Sequence, residues 1–242
     1  MKILYAATIS TTLILIFGLV IIFPTFTRPS KSPNPPRIML SFSVVDIGNP
    51  SEWCLNLSRI LEEHNIKATV FITGVVADLH PECVFLFNSN IDIGSQTYDY
   101  VDLTTIADYT IQLEEVTRGK EAVDRAGNLS SRLFRAPFRS TDQNIYSLLS
   151  RANIAADFSY EHQYNIFLND KFIKFNAATY DAPAFSAANV TSLLTTTEPV
   201  IYEFSNALST EYIESCISRV ALNSVRFVSG SDLAAFNLTE RA

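Results

Sequence analysis

Short apolar runs alternate with helical patterns along most of the chain. Three early segments, RIMLSF (37–42), KATVFI (67–72) and IDIG (91–94), are short and mostly β-branched, aromatic or aliphatic, which favours buried strands. The same criterion predicts four further strands at 132–135, 154–158, 199–204 and 225–228. Apolar residues at three-to-four spacing predict helices at 52–64, 106–127, 142–152, 187–194 and 209–220, with short helices from Pro81 and at 231–236. Gly127 is expected to end the longest helix.

This alternation predicts an α/β protein with a parallel sheet. Seven or so strand-helix units indicate a closed or nearly closed (β/α) barrel. In such a barrel the functional residues lie at the carboxyl ends of the strands, where successive loops converge. The segments to inspect are therefore 43–48, 73–75, 95–103, 135–140, 157–160 and 204–207.

The amino-terminal segment has a different character. Residues 3–23 form 21 consecutive uncharged and largely apolar positions, and a bilayer core needs roughly 20 such residues as helix. We expect residues 1–23 to be an uncleaved transmembrane anchor; the alternative is a cleaved signal segment, although the sequence after Phe23 is a poor cleavage site. Residues 24–36 contain five prolines in thirteen positions, which predicts an extended stalk ahead of a domain spanning 37–238.

Charge and cysteine content exclude several classes of protein. The formal net charge is -7 and there is no long run of like charges, so the electrostatic footprint of a nucleic-acid-binding protein is missing. Cys54, Cys83 and Cys216 lack the C-x-x-C spacing of structural zinc sites. They permit at most one intrachain disulfide, and buried free thiols are the favoured interpretation.

Several segments, in order, resemble the motifs of the polysaccharide deacetylase (NodB-homology) family. RIMLSFSVVDIG is similar to the family's first strand with its T-F-D-D-G motif, and LEEHNIKATVFITG to L-x-x-x-x-I-x-A-T-F-F-x-x-G. DIGSQTYDYVDL resembles E-I-G-N-H-T-x-x-H-x-x-L, SRLFRAPFRS resembles F-R-x-P-x-G, and VRFVSGSDLAAF resembles the closing Y-R-F-V-x-x-x-E-L. PVIYEFSN falls where the family's L-x-H motif is expected. The resemblance implies a distorted (β/α) barrel and extracellular, metal-dependent removal of acetyl groups from glycans.

The catalytic positions of this resemblance are replaced. Ser43 stands at the general-base position, Val44 at the metal-binding aspartate, and Phe204, within one residue of alignment, at the general-acid histidine. Gln96 and Tyr100 occupy the two metal-binding histidine positions. The retained or partly matching positions are Arg135, Pro137 and Asp157, while Arg139 stands where a glycine usually follows.

These replacements are poorly suited to the family's chemistry. Valine has no lone pair, a carboxamide is a weak neutral ligand, and a phenol with a pKa near 10 binds metal well only after losing its proton. Without a metal, water keeps a pKa near 15.7, and Ser43 is not a base unless another group activates it. We therefore expect no metal cofactor and impaired or absent hydrolysis.

Two interpretations of the altered pocket remain open. It can bind glycan through the set Ser43, Asp46, Gln96, Tyr100, Arg135 and Asp157, or Val44, Phe204 and Tyr100 can fill it as new core. Arg135 needs an anionic partner, and Asp157 is the preferred one. Asp46 and Asp99 with His80 or His162 could build a relocated metal site, although scattered surface groups are the simpler interpretation.

The function expected from these observations is that of an extracytoplasmic polysaccharide deacetylase homologue of cell-envelope glycan metabolism. It is expected to be anchored to a membrane, metal-free and catalytically impaired, and to act by binding glycan or a partner. The alternative is an active hydrolase of non-peptide carbon-nitrogen bonds, such as a glycan N-deacetylase, with relocated metal ligands. No nucleic-acid partner is expected.

Overall fold

The computed structural model describes residues 35–186, 198–220 and 225–239, and among these it forms a nearly closed mixed sheet surrounded by helices. The strands are β1 (Arg37–Val44), β2 (Ala68–Ile72), β3 (Ile91–Ser95), β4 (Leu133–Phe134), β5 (Ala156–Asp157), β6 (Gln163–Leu168), β7 (Lys171–Asn176), β8 (Ala178–Asp181), β9 (Val200–Ser205) and β10 (Arg226–Phe227). The helices are α1 (Pro50–Glu63), α2 (Gly74–Leu79), α3 (Glu82–Phe85), α4 (Tyr109–Gly127), α5 (Ile145–Arg151), α6 (Thr210–Val220) and α7 (Gly230–Thr239). The predicted α/β barrel is confirmed.

The sheet runs in the order β7-β6-β5-β4-β3-β2-β1-β9-β8, with β10 pairing with β1. All pairings are parallel except β5 with β6 and β6 with β7. The two ends of this order, β7 and β8, are separated in sequence by Ala177 alone. Because the central strands are parallel, their carboxyl ends share one rim of the barrel, which is called the mouth below.

The strands alternate between two apolar clusters because successive side chains point to opposite faces. Along β1, Ile38, Leu40, Phe42 and Val44 pack in the outer cluster with α1 and α6. Met39 lies in the inner cluster, together with Phe71 of β2 and Ile201 of β9. Further along the inner face of β1 come Ser41 and Ser43, so the inner face becomes polar toward the mouth.

Each of the seven predicted strands contains an observed strand, but three further strands were missed. Residues 163–176 form a hairpin whose turn, Asn169 and Asp170, has φ angles of 50° and 61°. Two consecutive left-handed residues are typical of the tight turns that join antiparallel strands, and Asn and Asp tolerate them. Strand β8 and helix α2 were also not predicted, and the helix predicted at 187–194 lies outside the described residues.

The end of α4 differs in detail from the expectation. The left-handed residue that terminates it is Asn128, with φ 48°, and Gly127 is the last helical residue. A Cβ at Gly127 would lie 2.6 Å from both Leu129 and Val84 side-chain atoms, so close packing explains the glycine. The signal was correct to within one residue, but its physical cause was different.

The cysteines correct another expectation. Cys54 of α1 and Cys83 of α3 form a disulfide, whereas Cys216 is a buried free thiol. The interpretation as three free thiols is therefore wrong for two of them. The bond joins two helices that also contact each other through the hydrogen-bonded group of Ser51, His80 and Glu82.

Within the described ranges there is no helix long and apolar enough to cross a bilayer. The predicted membrane segment at 1–23 lies outside those ranges, as does most of the predicted stalk.

Candidate functional site

A pocket of about 470 Å³ opens at the mouth of the barrel. Four of the predicted site residues line it together: Ser43 near the end of β1, Gln96 after β3, Tyr100 in the following loop and Arg135 after β4. The remaining lining residues are Ala136, Phe138, Arg139, Asp181, Ala182, Pro183, Glu203, Phe204, Ser205, Ala207 and Leu208. The pocket is thus open, contrary to the interpretation in which new core fills it.

Ser43 and Gln96 form a hydrogen-bonded pair at the floor of this pocket. The Ser43 hydroxyl donates to Gln96 Oε1 at 2.9 Å, and Gln96 Nε2 donates to the Phe71 carbonyl oxygen at 3.1 Å. Both side chains are buried, and a buried polar group without a partner is costly. The pair therefore satisfies itself within the protein and fixes the amide orientation at the position of the first metal-binding histidine.

Val44 and Phe204 both belong to the outer apolar cluster, although Phe204 also borders the pocket. Val44 is fully buried, and the Phe204 ring stacks on Phe42 with the centroids 5.2 Å apart. Because side chains alternate along a strand, the neighbours Glu203 and Ser205 occupy the inner face of β9. The match of Phe204, within one residue, to the general-acid position stays a prediction from the sequence.

Tyr100 and Phe138 form an aromatic pair at the rim. Their ring centroids lie 5.0 Å apart, Tyr100 is half-buried, and Phe138 is 65% exposed. Both backbones are left-handed, with φ 58° and 56°, a conformation uncommon for non-glycine residues. Such outliers concentrate at ligand-binding sites, where the surrounding structure holds them in place.

Close packing of the neighbouring helix positions the Gln96–Tyr100 loop. At Gly119 of α4 an added Cβ would lie only 2.5 Å from the Gln96 carbonyl oxygen, so helix and loop touch backbone to backbone. The buried Glu115 carboxylate accepts a hydrogen bond from the Asp99 amide at 3.0 Å, and the Glu115 carbonyl oxygen accepts one from the Tyr98 amide. The loop is thereby fixed to α4 on one side of the pocket.

Two guanidinium groups face the pocket around one largely shielded carboxylate, that of Glu203. Arg135 Nη1 donates to the Ser41 hydroxyl at 2.6 Å and lies 3.4 Å from Glu203 Oε1. Arg139 Nε lies 3.7 Å from the other oxygen of Glu203. The expected pairing of Arg135 with Asp157 is therefore wrong, and Glu203, which the sequence analysis did not select, is the partner.

Arg139 also lies near two carboxylates at the surface. Its guanidinium is 3.3 Å from Glu161 and 3.6 Å from Asp181, which follow β5 and end β8. Its backbone φ is 57°, which explains why this position usually holds a glycine. Arg139 thus places a cation at the mouth while its backbone adopts the strained left-handed conformation.

Asp157 is part of the support beneath the pocket and does not line it. It is fully buried and accepts hydrogen bonds from the Ser159 amide and hydroxyl, while the Ser159 hydroxyl accepts one from the Ala136 amide at 2.8 Å. Burial raises the pKa of Asp157 to about 6, against the opposing effect of these hydrogen bonds and one from Asn165. Asp157 was predicted to bind ligand, but it does not line the pocket. Through Ser159 it supports the Arg135–Phe138 segment instead.

The other candidate ligands do not converge. Asp46 is exposed in the loop after β1, outside the pocket lining. His80 lies between α2 and α3, with Nδ1 2.8 Å from the Ser51 hydroxyl. Across the described residues, no group of three His, Cys, Asp or Glu side chains could hold a metal ion. Among the described residues, the relocated site considered as an alternative is thus not assembled.

The residues at the ancestral metal position do not fit the ion. Val44 is turned into apolar core, the Gln96 amide is engaged by Ser43 and Phe71, and Tyr100 packs on Phe138. Zinc and similar transition metals are bound mainly by carboxylate, imidazole or thiolate donors, and none of these three side chains supplies one. The side chains at these positions therefore do not form a site for such an ion.

The sequence analysis missed Phe138, Arg139, Asp181 and Glu203 as pocket residues. Alternation along 199–204 could have identified Glu203, since an apolar Phe204 on the outer face places residue 203 on the inner one. Arg139 was noticed only as a replaced glycine. Asp181 ends β8, a strand that was not predicted, so no signal pointed to it.

The polysaccharide deacetylase family model matches residues 30–156, just over half of the 242-residue chain. No curated protein sequence matches. Three solved structures are similar over most of the chain, and their TM-scores of 0.59 to 0.70 show a shared fold.

A polysaccharide deacetylase candidate from Mycobacterium smegmatis has a TM-score of 0.70 at 18% identity, covering 87% of this chain and 93% of the other. The peptidoglycan deacetylase PdaC from Bacillus subtilis has a TM-score of 0.61 at 14% identity, with coverage of 87% and 95%. A CE4 family pseudoenzyme from Bacillus anthracis has a TM-score of 0.59 at 15% identity, with coverage of 84% and 66%. At these identities the likeness establishes the fold alone.

Proposed function

The chain belongs to the polysaccharide deacetylase family, and from this premise we propose that it is a non-catalytic, metal-free member that binds a cell-envelope glycan at the mouth of its barrel. The observation that carries the proposal is the open pocket whose metal-ligand positions are replaced while its rim presents the Tyr100–Phe138 aromatic pair. Aromatic faces beside polar donors suit the apolar and hydroxyl-bearing faces of a sugar ring.

The hydrolytic groups of the family have no equivalent in the pocket. Ser43 donates its proton to an amide oxygen, so neither partner of that hydrogen bond accepts a proton from water at neutral pH. The inward carboxylate, Glu203, lies between two guanidinium groups, 3.4 Å from Arg135 and 3.7 Å from Arg139. A general base must reach the reacting water, and here the carboxylate oxygens face these two cations instead.

The same family fold occurs in a pseudoenzyme. One of the similar structures is described as a CE4 family pseudoenzyme, and another as a mutant of it with restored enzymatic activity. That protein is a precedent for loss of catalysis on this fold. In the present chain the replaced positions are Ser43, Val44, Gln96 and Tyr100.

Location outside the cytoplasm is part of the proposal. The Cys54–Cys83 disulfide supports it, because disulfides persist mainly in oxidising compartments. The uncharged segment at 3–23 supports attachment to a membrane, with the stalk at 24–36 as a spacer. An extracytoplasmic barrel would have direct access to envelope glycan.

The test is glycan binding and acetate release by the full-length protein in detergent. We expect measurable binding of N-acetylated chitooligosaccharides or peptidoglycan fragments, no acetate release, and no dependence on added zinc or chelator. Phe138→Ala should weaken binding about tenfold, in line with the 1–3 kcal/mol that removing a stacking aromatic costs. Phe85→Ala, which removes an equally exposed ring on α3, is the control and should leave binding unchanged.

Two outcomes contradict the proposal. Stoichiometric tight metal with acetate release would favour the hydrolase alternative. Absence of binding to all of these glycans would favour a purely structural role for the domain.

A further inference from the structure

We propose that the pocket recognises a carboxylate group, so that its ligand is an acidic saccharide. This inference rests on the proposed glycan-binding function and adds the chemical class of the ligand. It follows from two guanidinium groups, one buried and one partly exposed, that share one largely shielded carboxylate at the pocket.

Two cations and one largely shielded anion meet at the pocket. The Arg135 side chain is 7% exposed, that of Arg139 is 26% exposed, and the carboxylate between them, Glu203, is 12% exposed. Two guanidinium groups therefore share one shielded carboxylate. A buried charge that lacks a full partner is costly, and an anionic ligand group would compensate it.

The hydrogen-bond inventory points in the same direction. A guanidinium carries five N–H donors, so Arg135 and Arg139 together bring ten. Of these donors, the one with a hydrogen bond among the described residues is Arg135 Nη1, to Ser41. The contacts to Glu203 at 3.4 and 3.7 Å are ion pairs outside the usual hydrogen-bond range. A ligand that brings acceptor oxygens can use the spare donors, and a carboxylate presents two in the geometry that a guanidinium fork matches.

Two other carboxylates lie near Arg139 but are much more exposed. The side chains of Glu161 and Asp181 are 63% and 75% exposed. Water and salt screen exposed ion pairs, which typically contribute 0–1 kcal/mol. These carboxylates therefore leave Arg139 available to a competing anion, and Asp181, which also lines the pocket, should oppose that anion weakly.

The backbone supplies an independent indication. Phe138 and Arg139 are consecutive left-handed residues, with φ 56° and 57°. Each such non-glycine residue costs on the order of 1 kcal/mol or more and persists only where the surroundings enforce it. This conformation places the exposed ring and the guanidinium side by side at the pocket, an arrangement suited to stacking a sugar ring while holding its acidic substituent.

The experiment compares an acid with its neutral ester. The full-length protein in detergent is titrated with a glucuronic acid–N-acetylglucosamine tetrasaccharide, with its methyl ester, and with a glucosamine tetrasaccharide. We expect the acid to bind at least tenfold more tightly than the ester at low salt, and this preference to shrink as ionic strength rises. Wild-type protein alone provides this measurement.

Variants of Arg139 and Asp181 test whether the Arg139 guanidinium causes the preference for the acid over its ester. Arg139→Gln should reduce the preference for the acid at least tenfold, Arg139→Lys should retain part of it, and Asp181→Asn should increase it. Arg59→Gln, which removes an exposed cation from α1, is the control and should leave the preference unchanged.

The outcomes separate the two proposals. Equal binding of acid and ester overturns the carboxylate inference and leaves glycan binding standing. Tighter binding of the cationic glucosamine oligomer overturns it in favour of a site built on Asp181 and Glu203. Absence of binding to these three ligands and to neutral N-acetylated oligomers overturns glycan binding itself.

Discussion

The Ser43 hydroxyl donates a hydrogen bond to Gln96 Oε1 at 2.9 Å, across 53 residues of sequence and the full width of β2. In the family motifs these two positions hold the general base and a metal-binding histidine. Here they form a neutral, buried pair that is complete once Gln96 also donates to Phe71. The two side chains at these positions thus hydrogen-bond within the protein.

Breaking this pair should destabilise the domain. Ser43→Ala leaves the buried Gln96 Oε1 without its hydroxyl donor, which is expected to cost about 1–3 kcal/mol in the free energy of unfolding. Urea denaturation at pH 7 measures the change. Ser58→Ala is the control, since its hydroxyl donates locally to the Leu55 carbonyl oxygen on a helix surface. An equal, small effect of both variants would show that the buried pair contributes little.

Restoring the family's aspartate at position 44 should also be unfavourable in this chain. Val44 is fully buried in the outer apolar cluster, so Val44→Asp places a carboxylate where no partner is available. We expect a loss of about 3 kcal/mol or more in the free energy of unfolding. Val45→Asp, one residue further at a half-buried site, should cost clearly less. If Val44→Asp were neutral in denaturation, the strand end would have to rotate toward the mouth.

Gly119 should be intolerant of alanine, against its helix propensity. Replacing a helical glycine by alanine normally stabilises by up to about 1 kcal/mol. At Gly119 the added Cβ would lie 2.5 Å from the Gln96 carbonyl oxygen and 2.8 Å from the Thr97 backbone, and backbone atoms cannot yield cheaply. We expect Gly119→Ala to destabilise by about 1–3 kcal/mol and to weaken ligand binding.

The control for that experiment is Glu121→Ala on the exposed face of the same helix, which should be close to neutral in both measurements. A stabilised Gly119→Ala protein with normal binding would show that α4 does not set the position of the Gln96–Tyr100 loop.

The sequence predicted the barrel and its mouth because strand and helix periodicities are local. Ser43, Gln96, Tyr100 and Arg135 were brought together correctly, since each follows or ends a strand whose direction the alternation fixes. The pairing within that group was not predictable from periodicity. Whether Arg135 meets Asp157 or Glu203 depends on which face of a strand each residue occupies, and a shift of one residue reverses the face.

The errors share a physical origin. The β6–β7 hairpin, with its recognisable tight-turn pair Asn169–Asp170, interrupts the strand-helix alternation from which the fold was predicted, so it was missed. The Cys54–Cys83 bond depends on how α1 packs on α3, which local patterns do not encode. The left-handed backbones of Tyr100, Phe138 and Arg139 are imposed by tertiary contacts, so no propensity predicts them.

The disulfide should contribute substantially to stability. For its sequence separation of 29 residues, the chain-entropy model gives about 3–4 kcal/mol. The Cys54→Ser, Cys83→Ser double variant should therefore unfold at a lower urea concentration, and a reducing agent should shift the wild type in the same direction but leave the variant unchanged. Cys216→Ser is the control, because its thiol is free. A wild-type transition that does not respond to reductant would argue against the bond.

The stability of the domain should depend on pH through Asp157. Burial raises its pKa to about 6 in the folded protein, against an ordinary value of 3.8. A carboxyl whose pKa is higher in the folded state binds protons more readily there than in the unfolded chain. Its favourable contribution is therefore complete below pH 4 and is lost as the pH rises through about 6. At pH 7 the loss relative to acid is on the order of 3 kcal/mol.

Asp157→Asn removes this titration and keeps an acceptor for the Ser159 amide and hydroxyl. Its new amide needs an acceptor as well, and Asn165 Oδ1, which has no partner within the described structure, can supply one after the Asn165 amide turns over. We expect the difference in unfolding free energy between variant and wild type to grow in favour of the variant from pH 4 to pH 7. Denaturation at several pH values measures it, with Asp46→Asn as a control for loss of an exposed carboxylate.

If the variant instead became less stable relative to the wild type as the pH rises, Asp157 would be stabilised as an anion in the folded protein. Some cationic group would then have to reach it, and Arg135, which follows Phe134 where β4 pairs with Asp157 of β5, is one candidate. In that case Arg135 would have two carboxylate partners, Asp157 and Glu203. Fewer of its N–H donors would then remain for an anionic ligand in the pocket. The pH dependence of the unfolding free energy of Asp157→Asn therefore tests, without any ligand, whether Arg135 pairs with Glu203 alone.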